Sequence, residues 1–101
     1  MRGHAVARPT VDELLASRER MNRASAEFLK LDLRTALTFV NIAHQTGDQV
    51  RKRRNCVAAR RAYDTVLRLA DKVQLGVEDK RDVAQGLKRL RTELEALGEV
   101  F

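Results

Sequence analysis

The residues of this sequence best suited to chemistry are basic, and many of them lie between positions 48 and 72. This stretch, DQVRKRRNCVAARRAYDTVLRLADK, holds eight Lys or Arg residues against three Asp. Because Lys and Arg bind phosphate and carboxylate groups, the stretch could contact nucleic acid or an acidic protein surface. The whole chain carries 20 Lys and Arg against 14 Asp and Glu, a net charge of +6, which favours acidic partners without choosing among them.

Part of this charge would form a ridge along one side of a helix. Projected at about 100° per residue, four cations fall within about 40° of one another, over about 27 Å of helix: Arg54, Arg61, Arg68 and Lys72. Together with Arg51, such a ridge could follow a phosphate backbone. A solvated helix face would carry the same residues, however, since Arg is a good helix former, and no aromatic side chain interleaves with the ridge to stack on bases.

The run from Arg51 through Lys52 and Arg53 to Arg54 stands near the start of its predicted helix. Cations are unfavourable at that end of the helix dipole, by about 0.3–1 kcal/mol each before screening. Helix stability alone therefore does not explain the run. Either the carbonyl end of the preceding helix lies beside it in an antiparallel hairpin, or it meets an acidic partner.

Catalytic and metal-binding patterns are poorly represented. The two histidines, His4 and His44, have no metal-ligand spacing with the single cysteine, Cys56. Cys56 falls on an apolar helix face, where a small buried side chain is expected. Gly86 is isolated within a predicted helix and forms no phosphate-binding loop. We therefore expect no enzyme activity, no catalytic or metal-binding residue and no cofactor.

The composition favours long helices around an aliphatic core. The chain has one Pro, five Gly, no Trp, three Phe and one Tyr, so it contains few helix breakers. A length of 101 residues indicates one domain, expected over 10–101 after a disordered segment at 1–9.

The lone cysteine suits a reducing compartment, and no apolar run has the length of a membrane span or signal peptide. We expect a cytoplasmic protein without membrane contact.

The first helices are predicted from caps and apolar spacing. Thr10 and Glu13 have the spacing of a capping box, and a helix over 11–30 follows with these apolar residues: Val11, Leu14, Leu15, Met21, Ala24 and Phe28. No Gly or Pro lies between positions 10 and 46, so one helix could continue throughout. Asp32 would then fall in the apolar stripe, where an unpaired carboxylate is costly. A break near Asp32 and a second helix over 33–46, ended by a left-handed Gly47, are therefore favoured.

Two further helices complete the expected fold. Asp48 can cap a helix over 49–74, with these residues facing the core: Cys56, Ala59, Tyr63, Val66, Ala70 and Val73. Gly76 separates it from a helix over 79–97, which Gly98 ends. Short turns and continuous apolar stripes predict an all-α antiparallel bundle of three to four helices.

The last predicted helix carries a heptad seam formed by Val83, Leu87, Leu90, Leu94 and Leu97. Alternating steps of four and three residues are typical of coiled-coil packing. Fewer than three full heptads do not distinguish a seam between two copies of the chain from a seam inside its own bundle. Self-association through this helix is thus an open alternative.

Residues 33–74 resemble a tetratricopeptide-type helical hairpin. Phe39, Ile42 and Ala43 resemble the pattern of its first helix, and Ala59 with Tyr63 resembles the small-to-aromatic spacing of its second. An echo lies 35 residues earlier, where Ala24, Phe28 and Leu31 parallel Ala59, Tyr63 and Val66. The expected closing Pro is absent, and Thr46 replaces the aromatic at the end of the first helix. The resemblance implies a module that binds a peptide or a partner helix.

These patterns predict a small non-enzymatic helical interaction or scaffold protein, with a protein partner or a second copy of the chain as its ligand. The alternative is a sequence-nonspecific nucleic-acid-binding protein that uses the basic residues of 51–72.

Overall fold

A computed structural model describes residues 8–101 of the chain. Within that range the regular structure is helical, with α1 at Val11–Gln45, α2 at Gln49–Ala70 and α3 at Val77–Ala96. Short connections at 46–48 and 71–76 fold α2 back on α1 and α3 back on α2. Side-chain contacts agree with this topology, since Lys30 contacts Asp79 near the start of α3 and His44 contacts Glu93 near its end. The predicted all-α bundle is confirmed, with three helices.

The helix starts follow the predicted caps for α1 and α2. The Thr10 hydroxyl accepts a hydrogen bond from the backbone N–H of Glu13 at 3.1 Å. The Asp48 carboxylate accepts from the N–H groups of Val50 and Arg51 at 2.9 and 3.3 Å. Each cap satisfies backbone donors that have no partner within the helix. α3 begins after Gly76 without a side-chain cap, and acidic residues occupy its first turn.

The favoured break at Leu31–Asp32 is wrong, because α1 continues through both residues to Gln45. Asp32 is only half-buried and lies at the edge of the core-facing side. Its carboxylate can therefore stay hydrated while the helix continues. A break would have given up backbone hydrogen bonds without relieving any buried charge.

Two other predicted helix ends also differ. Gly47 does not adopt a left-handed conformation, because α1 ends at Gln45 and Thr46 is already extended. The predicted end of α2 at residue 74 is too late, since the helix ends at Ala70. The N–H groups of Lys72 and Val73 both bond to the Leu69 carbonyl, at 2.9 and 3.1 Å, which tightens the chain into a turn.

The end of α3 follows the prediction for Gly98. This glycine has a φ of 98°, in the left-handed region. The Glu99 N–H bonds to the Leu94 carbonyl and the Gly98 N–H bonds to the Glu95 carbonyl, both at 3.0 Å. These two bonds form a Schellman motif, which turns residues 99–101 back towards the bundle.

One core cluster joins the three helices, and its buried members are Leu29, Leu33, Ala36, Val40, Ala59, Tyr63, Val66, Val83, Leu90 and Leu94. Gly86 permits a close approach of α1 and α3, because a Cβ atom there would lie 2.8 Å from Leu33 Cδ1. Polar contacts flank the same interface. Lys30 Nζ lies 2.6 Å from Asp79 Oδ1, and this hydrogen bond raises the pKa of Lys30.

The continuous α1 removes the proposed internal echo of a helical hairpin. Ala24, Phe28 and Leu31 belong to the same helix as residues 33–45, instead of to an earlier separate helix. Phe28 and Leu31 are exposed, whereas their counterparts Tyr63 and Val66 are buried. The echo therefore reflects helical periodicity alone.

Candidate interaction surfaces

The predicted basic ridge is exposed along α2. Arg54, Arg61 and Arg68 are all exposed, and none of them forms an ion pair with another residue of the described part of the chain. Arg51 is exposed as well. Lys72 also faces solvent, but it lies in the turn after α2 instead of on the helix. The helix brings the three arginines together at intervals of two turns, about 10 Å apart.

The run 51–54 does not act as one unit. Arg53 Nη1 lies 3.6 Å from Glu99 Oε2, and Lys52 is half-buried nearby. Arg51 and Arg54 are instead exposed and form no ion pair within residues 8–101. Within residues 8–101, the carboxylate that forms an ion pair with a side chain of the run therefore comes from the segment after α3. Neither interpretation of the sequence included that contact.

Arg60 holds residues 99–101 against α2. Its guanidinium donates to Asp64 Oδ1 at 3.2 Å, to Glu99 Oε1 at 3.4 Å and to the Val100 carbonyl at 2.9 Å. The side chains of Arg60 and Glu99 are 27% and 22% exposed, so the pair is largely shielded from solvent. The contact with residues 99–101 depends on the Gly98 turn. The i, i+4 spacing of Arg60 and Asp64 in the sequence indicates only the bond between those two residues.

Phe101 completes this contact with its ring. The guanidinium carbons of Arg60 and Arg91 lie 4.0 and 4.8 Å from the ring centroid. The Tyr63 ring meets it edge-on, with the centroids 4.9 Å apart and the planes at 70°. Both geometries are favourable for an aromatic quadrupole. The four groups join α2, α3 and the segment after α3.

Cys56 is buried at the edge of a shallow cavity of about 260 Å³ between α2 and the end of α3. Burial raises the pKa of its thiol, and the nearby Glu99 carboxylate raises it further. Lys52 and Arg53 act in the opposite direction. A raised pKa lowers the thiolate fraction at neutral pH, which disfavours nucleophilic chemistry at Cys56.

The other candidates for metal or acid–base chemistry are dispersed. His44 Nε2 forms a 2.9 Å contact with Glu93 Oε2 across α1 and α3, whereas His4 lies outside the described residues. Within 8–101, no three His, Cys, Asp or Glu side chains come together as a metal site. In the same range, no helix is long and apolar enough to cross a membrane. The absence of enzyme activity and of cofactors stays a prediction.

The heptad seam of α3 faces the protein's own core. Val83, Leu90 and Leu94 are buried, and Leu87 and Leu97 pack against them as partly buried neighbours. These side chains already contact α1 and α2. A second copy could reach the seam only if the bundle opened.

A series of exposed apolar side chains lies elsewhere, on the first part of α1. The buried residues of α1 begin at Ala26, and its remainder, 26–45, matches the 22 and 20 residues of α2 and α3. Residues 11–25, here called the arm, therefore precede the buried part of α1 and span about 22 Å at 1.5 Å per residue.

The arm keeps an apolar side although α2 and α3 do not cover it. Its large apolar side chains, with Phe28 at its base, form what we call the arm stripe, with these exposed fractions: Val11 71%, Leu14 55%, Leu15 52%, Met21 70% and Phe28 56%. The helical spacing of these residues was evident in the sequence. Their exposure was not, because periodicity indicates an apolar face without indicating what covers it.

A notch lies where the arm meets the connection between α2 and α3. It has a volume of about 310 Å³ and is lined by Glu19, Asn22, Arg23, Gln74, Gly76 and Asp79. The notch places polar and charged groups beside the apolar arm stripe.

Comparison of the chain with protein-family models, curated proteins and solved structures finds no match.

Proposed function

We propose that this chain is a non-enzymatic interaction protein that binds a partner protein through the arm of α1. The observation that carries the proposal is the arm stripe, whose five large apolar side chains are more than half exposed. Exposed large apolar side chains at helical spacing are typical of interaction sites, since a helix gains nothing from presenting them to water. The rest of the chain supplies a bundle from which the arm continues as part of the same helix.

The arm has the form of a helix that packs in a groove or beside another helix. Its apolar residues lie on one side at helical spacing, which is how amphipathic helices present their anchors to partners. Apart from Arg18, which lies within the stripe, the charged residues of the arm occupy the other sides of the helix. Self-association through α3 would compete with the core contacts of Leu90 and Leu94, whereas binding through the arm leaves the bundle intact.

Site-specific photo-crosslinking in the cells that make the protein tests this proposal. A crosslinking amino acid at Met21 should give a defined adduct, and Leu14→Asp in the same chain should abolish it. The matched control is the same crosslinker at Arg89, an exposed position on α3 far from the arm stripe. Equal adducts from positions 21 and 89, or none from position 21, would contradict binding through the arm.

A second function, binding of nucleic acid, is favoured by one observation: Arg51, Arg54, Arg61 and Arg68 are exposed and unpaired among residues 8–101. Neutralisation of four phosphates would make the affinity for duplex DNA fall about 100-fold between 50 and 200 mM salt. The residues lie on one helix, and no carboxylate of residues 8–101 forms an ion pair that would compete with a phosphate for them.

A gel-shift titration at low salt tests the second function. Replacement of Arg54, Arg61 and Arg68 by Gln should remove the shift. A matched variant, with Lys80, Arg81 and Arg89 on α3 replaced by Gln, has the same net charge and should bind as the unmodified protein does. Equal loss in both variants would indicate a general charge effect instead of a site on α2.

A further inference from the structure

We infer that residues 99–101, here called the strap, occupy within the chain a site on α2 that binds single-stranded nucleic acid, and that the strap must leave before the strand can bind there. The inference rests on the second function proposed above, and it adds the kind of nucleic acid and a means of regulation. Three properties of the described residues support it: the chemistry of the strap, the position of the site, and the way the strap is attached.

The strap presents an anion and a flat ring to basic side chains. The Glu99 carboxylate lies 3.4 Å from Arg60 Nη1 and 3.6 Å from Arg53 Nη1. Two residues later, the Phe101 ring centroid lies 4.0 and 4.8 Å from the guanidinium carbons of Arg60 and Arg91. Phosphate groups bind the same guanidinium donors as carboxylates do, and nucleobases stack on guanidinium planes. A nucleotide therefore offers the same two groups that the strap offers.

The site adjoins the basic ridge of α2. Arg53 and Arg60 lie directly before the exposed ridge residues Arg54 and Arg61. The two pairs form rows on neighbouring sides of the helix, about 100° apart, and each row spans two turns, or about 10 Å. Within residues 8–101 the strap forms ion pairs with the first row, whereas the ridge row has no ion-pair partner. A strand that bound to both rows would therefore meet the strap at Arg60.

The two rows are better suited to a single strand than to a duplex. A flexible single strand can pass from one row to the other and turn a base towards the guanidinium group of Arg60, whereas the bases of a duplex are stacked on one another. Arg60 also donates to Asp64 Oδ1 at 3.2 Å, and this bond would keep the guanidinium on α2 after the strap leaves. The site would thus receive an unpaired base together with its phosphate.

The strap can leave without opening the core. None of its residues belongs to the core cluster, and Val100 and Phe101 are 85% and 37% exposed. Its side chains are held by ion pairs and ring contacts, which a phosphate and a base can replace. An apparent affinity falls in proportion to the fraction of chains whose site is open, so a strap closed in about nine chains of ten would weaken binding about ten-fold.

Fluorescence anisotropy with an oligo-dT of about 20 nucleotides tests this restraint. A released variant of the full chain carries Glu99→Gln and Phe101→Ala, and circular dichroism checks that its helix content is unchanged. It should bind the oligo-dT about ten-fold more tightly than the unmodified chain does. The slope of log affinity against log salt should also steepen by about 1.4, because two arginines lose their competing carboxylate.

The matched control carries Glu78→Gln and Val77→Ala, which remove one carboxylate and one exposed apolar side chain at the start of α3. It has the net charge of the released variant and should bind as the unmodified chain does. Arg60→Gln, added to the released variant, should remove most of the gain. An equal gain in the control, or a gain of the released variant that is as large for a duplex of the same length, overturns the inference.

Fluorine NMR tests displacement of the strap without any substitution in the site. A full chain labelled with fluorophenylalanine should give three resonances, from Phe28, Phe39 and Phe101. Saturating oligo-dT should move the Phe101 resonance towards its position in urea. Phe39, which packs against the core cluster, should keep its position. A Phe101 resonance that stays in place while oligo-dT binds overturns the inference.

The outcomes for the strap and for the second function are distinguishable. Equal binding of oligo-dT by the unmodified and released chains overturns the strap and leaves the nucleic-acid function standing. Absence of binding by both chains contradicts both. A synthetic peptide of residues 97–101 that moves the Phe101 resonance as strongly as the same concentration of oligo-dT would assign the site to acidic aromatic peptides and overturn nucleic acid as its ligand.

Discussion

The guanidinium carbon of Arg60 lies 4.0 Å from the centroid of the Phe101 ring, in the geometry of a cation–π contact. The same guanidinium donates to the Val100 carbonyl and lies within ion-pairing distance of Glu99. One side chain on α2 thus holds three consecutive residues after α3. This segment follows α3 in the chain. The contact therefore links α2 to α3 outside the core.

Arg60→Ala should lower the free energy of unfolding by about 1–3 kcal/mol, since it removes the ring contact and charge-assisted hydrogen bonds. Urea denaturation of the Arg60→Ala, Phe101→Ala and double variants measures the effect. A double-mutant cycle should give a coupling of about 1 kcal/mol between the two side chains. Arg61→Ala, at an exposed neighbouring position, should change stability by less than about 0.5 kcal/mol. Equal effects at positions 60 and 61 would contradict the contact.

Most of the architecture could be predicted from local patterns. Thr10 and Asp48 cap helices as their residue types indicate, and Gly98 takes the left-handed conformation that ends α3. Such features depend on a few neighbouring residues, so a sequence shows them directly. The erroneous break at Asp32 shows the limit of this approach, because the cost of a carboxylate depends on how far the neighbouring helices cover it.

The interaction surfaces were less predictable because they depend on relative helix lengths. Leu14 and Leu90 both lie on apolar helical stripes, yet Leu14 is 55% exposed and Leu90 is fully buried. The difference arises because the buried residues of α1 begin only at Ala26, so that Leu14 lies outside the part of the helix that α2 and α3 bury. The Arg60 contact with Glu99 was likewise hidden, since it joins residues 39 positions apart.

Leu90→Ala should destabilise the fold by about 2–5 kcal/mol, because the buried side chain leaves a cavity among α1, α2 and α3. Chemical denaturation measures the loss. Leu31→Ala, on an exposed position of α1, is the control and should change stability by less than about 0.5 kcal/mol. The cost of Leu90→Ala should not vary with protein concentration, since the seam packs within one chain. A cost that disappears on dilution would instead indicate a seam between copies.

Gly98→Ala should lower the free energy of unfolding by about 1–2 kcal/mol, because a Cβ atom is unfavourable at its φ of 98°. Gly47→Ala is the matched control. Gly47 has no left-handed conformation, and a methyl group added there would meet no atom within 4 Å, so its replacement should be neutral or stabilising by up to about 1 kcal/mol. Thermal denaturation of both variants provides the comparison. Similar losses at the two glycines would contradict a specific role for the Gly98 turn.

Cys56 should react with iodoacetamide only at a pH above that at which an ordinary thiol reacts. Burial and the Glu99 carboxylate raise the pKa of its thiol, so the unreactive neutral form persists through the usual range near a pKa of about 8.5. Lys52→Gln should move the midpoint of the rate–pH profile higher still, because Lys52 lowers this pKa.

The raised pKa of the Cys56 thiol also determines how the stability of the fold changes with pH. Because the thiol in the unfolded chain ionises at lower pH than the thiol in the folded chain, Cys56 should reduce stability as pH rises from the unfolded pKa to the folded pKa. The control is the rate–pH profile in concentrated urea, where burial is lost and the ordinary midpoint should return. A folded-state midpoint at or below the urea value would contradict the raised pKa, whereas slow reaction caused only by poor access would lower the rate at every pH without moving the midpoint.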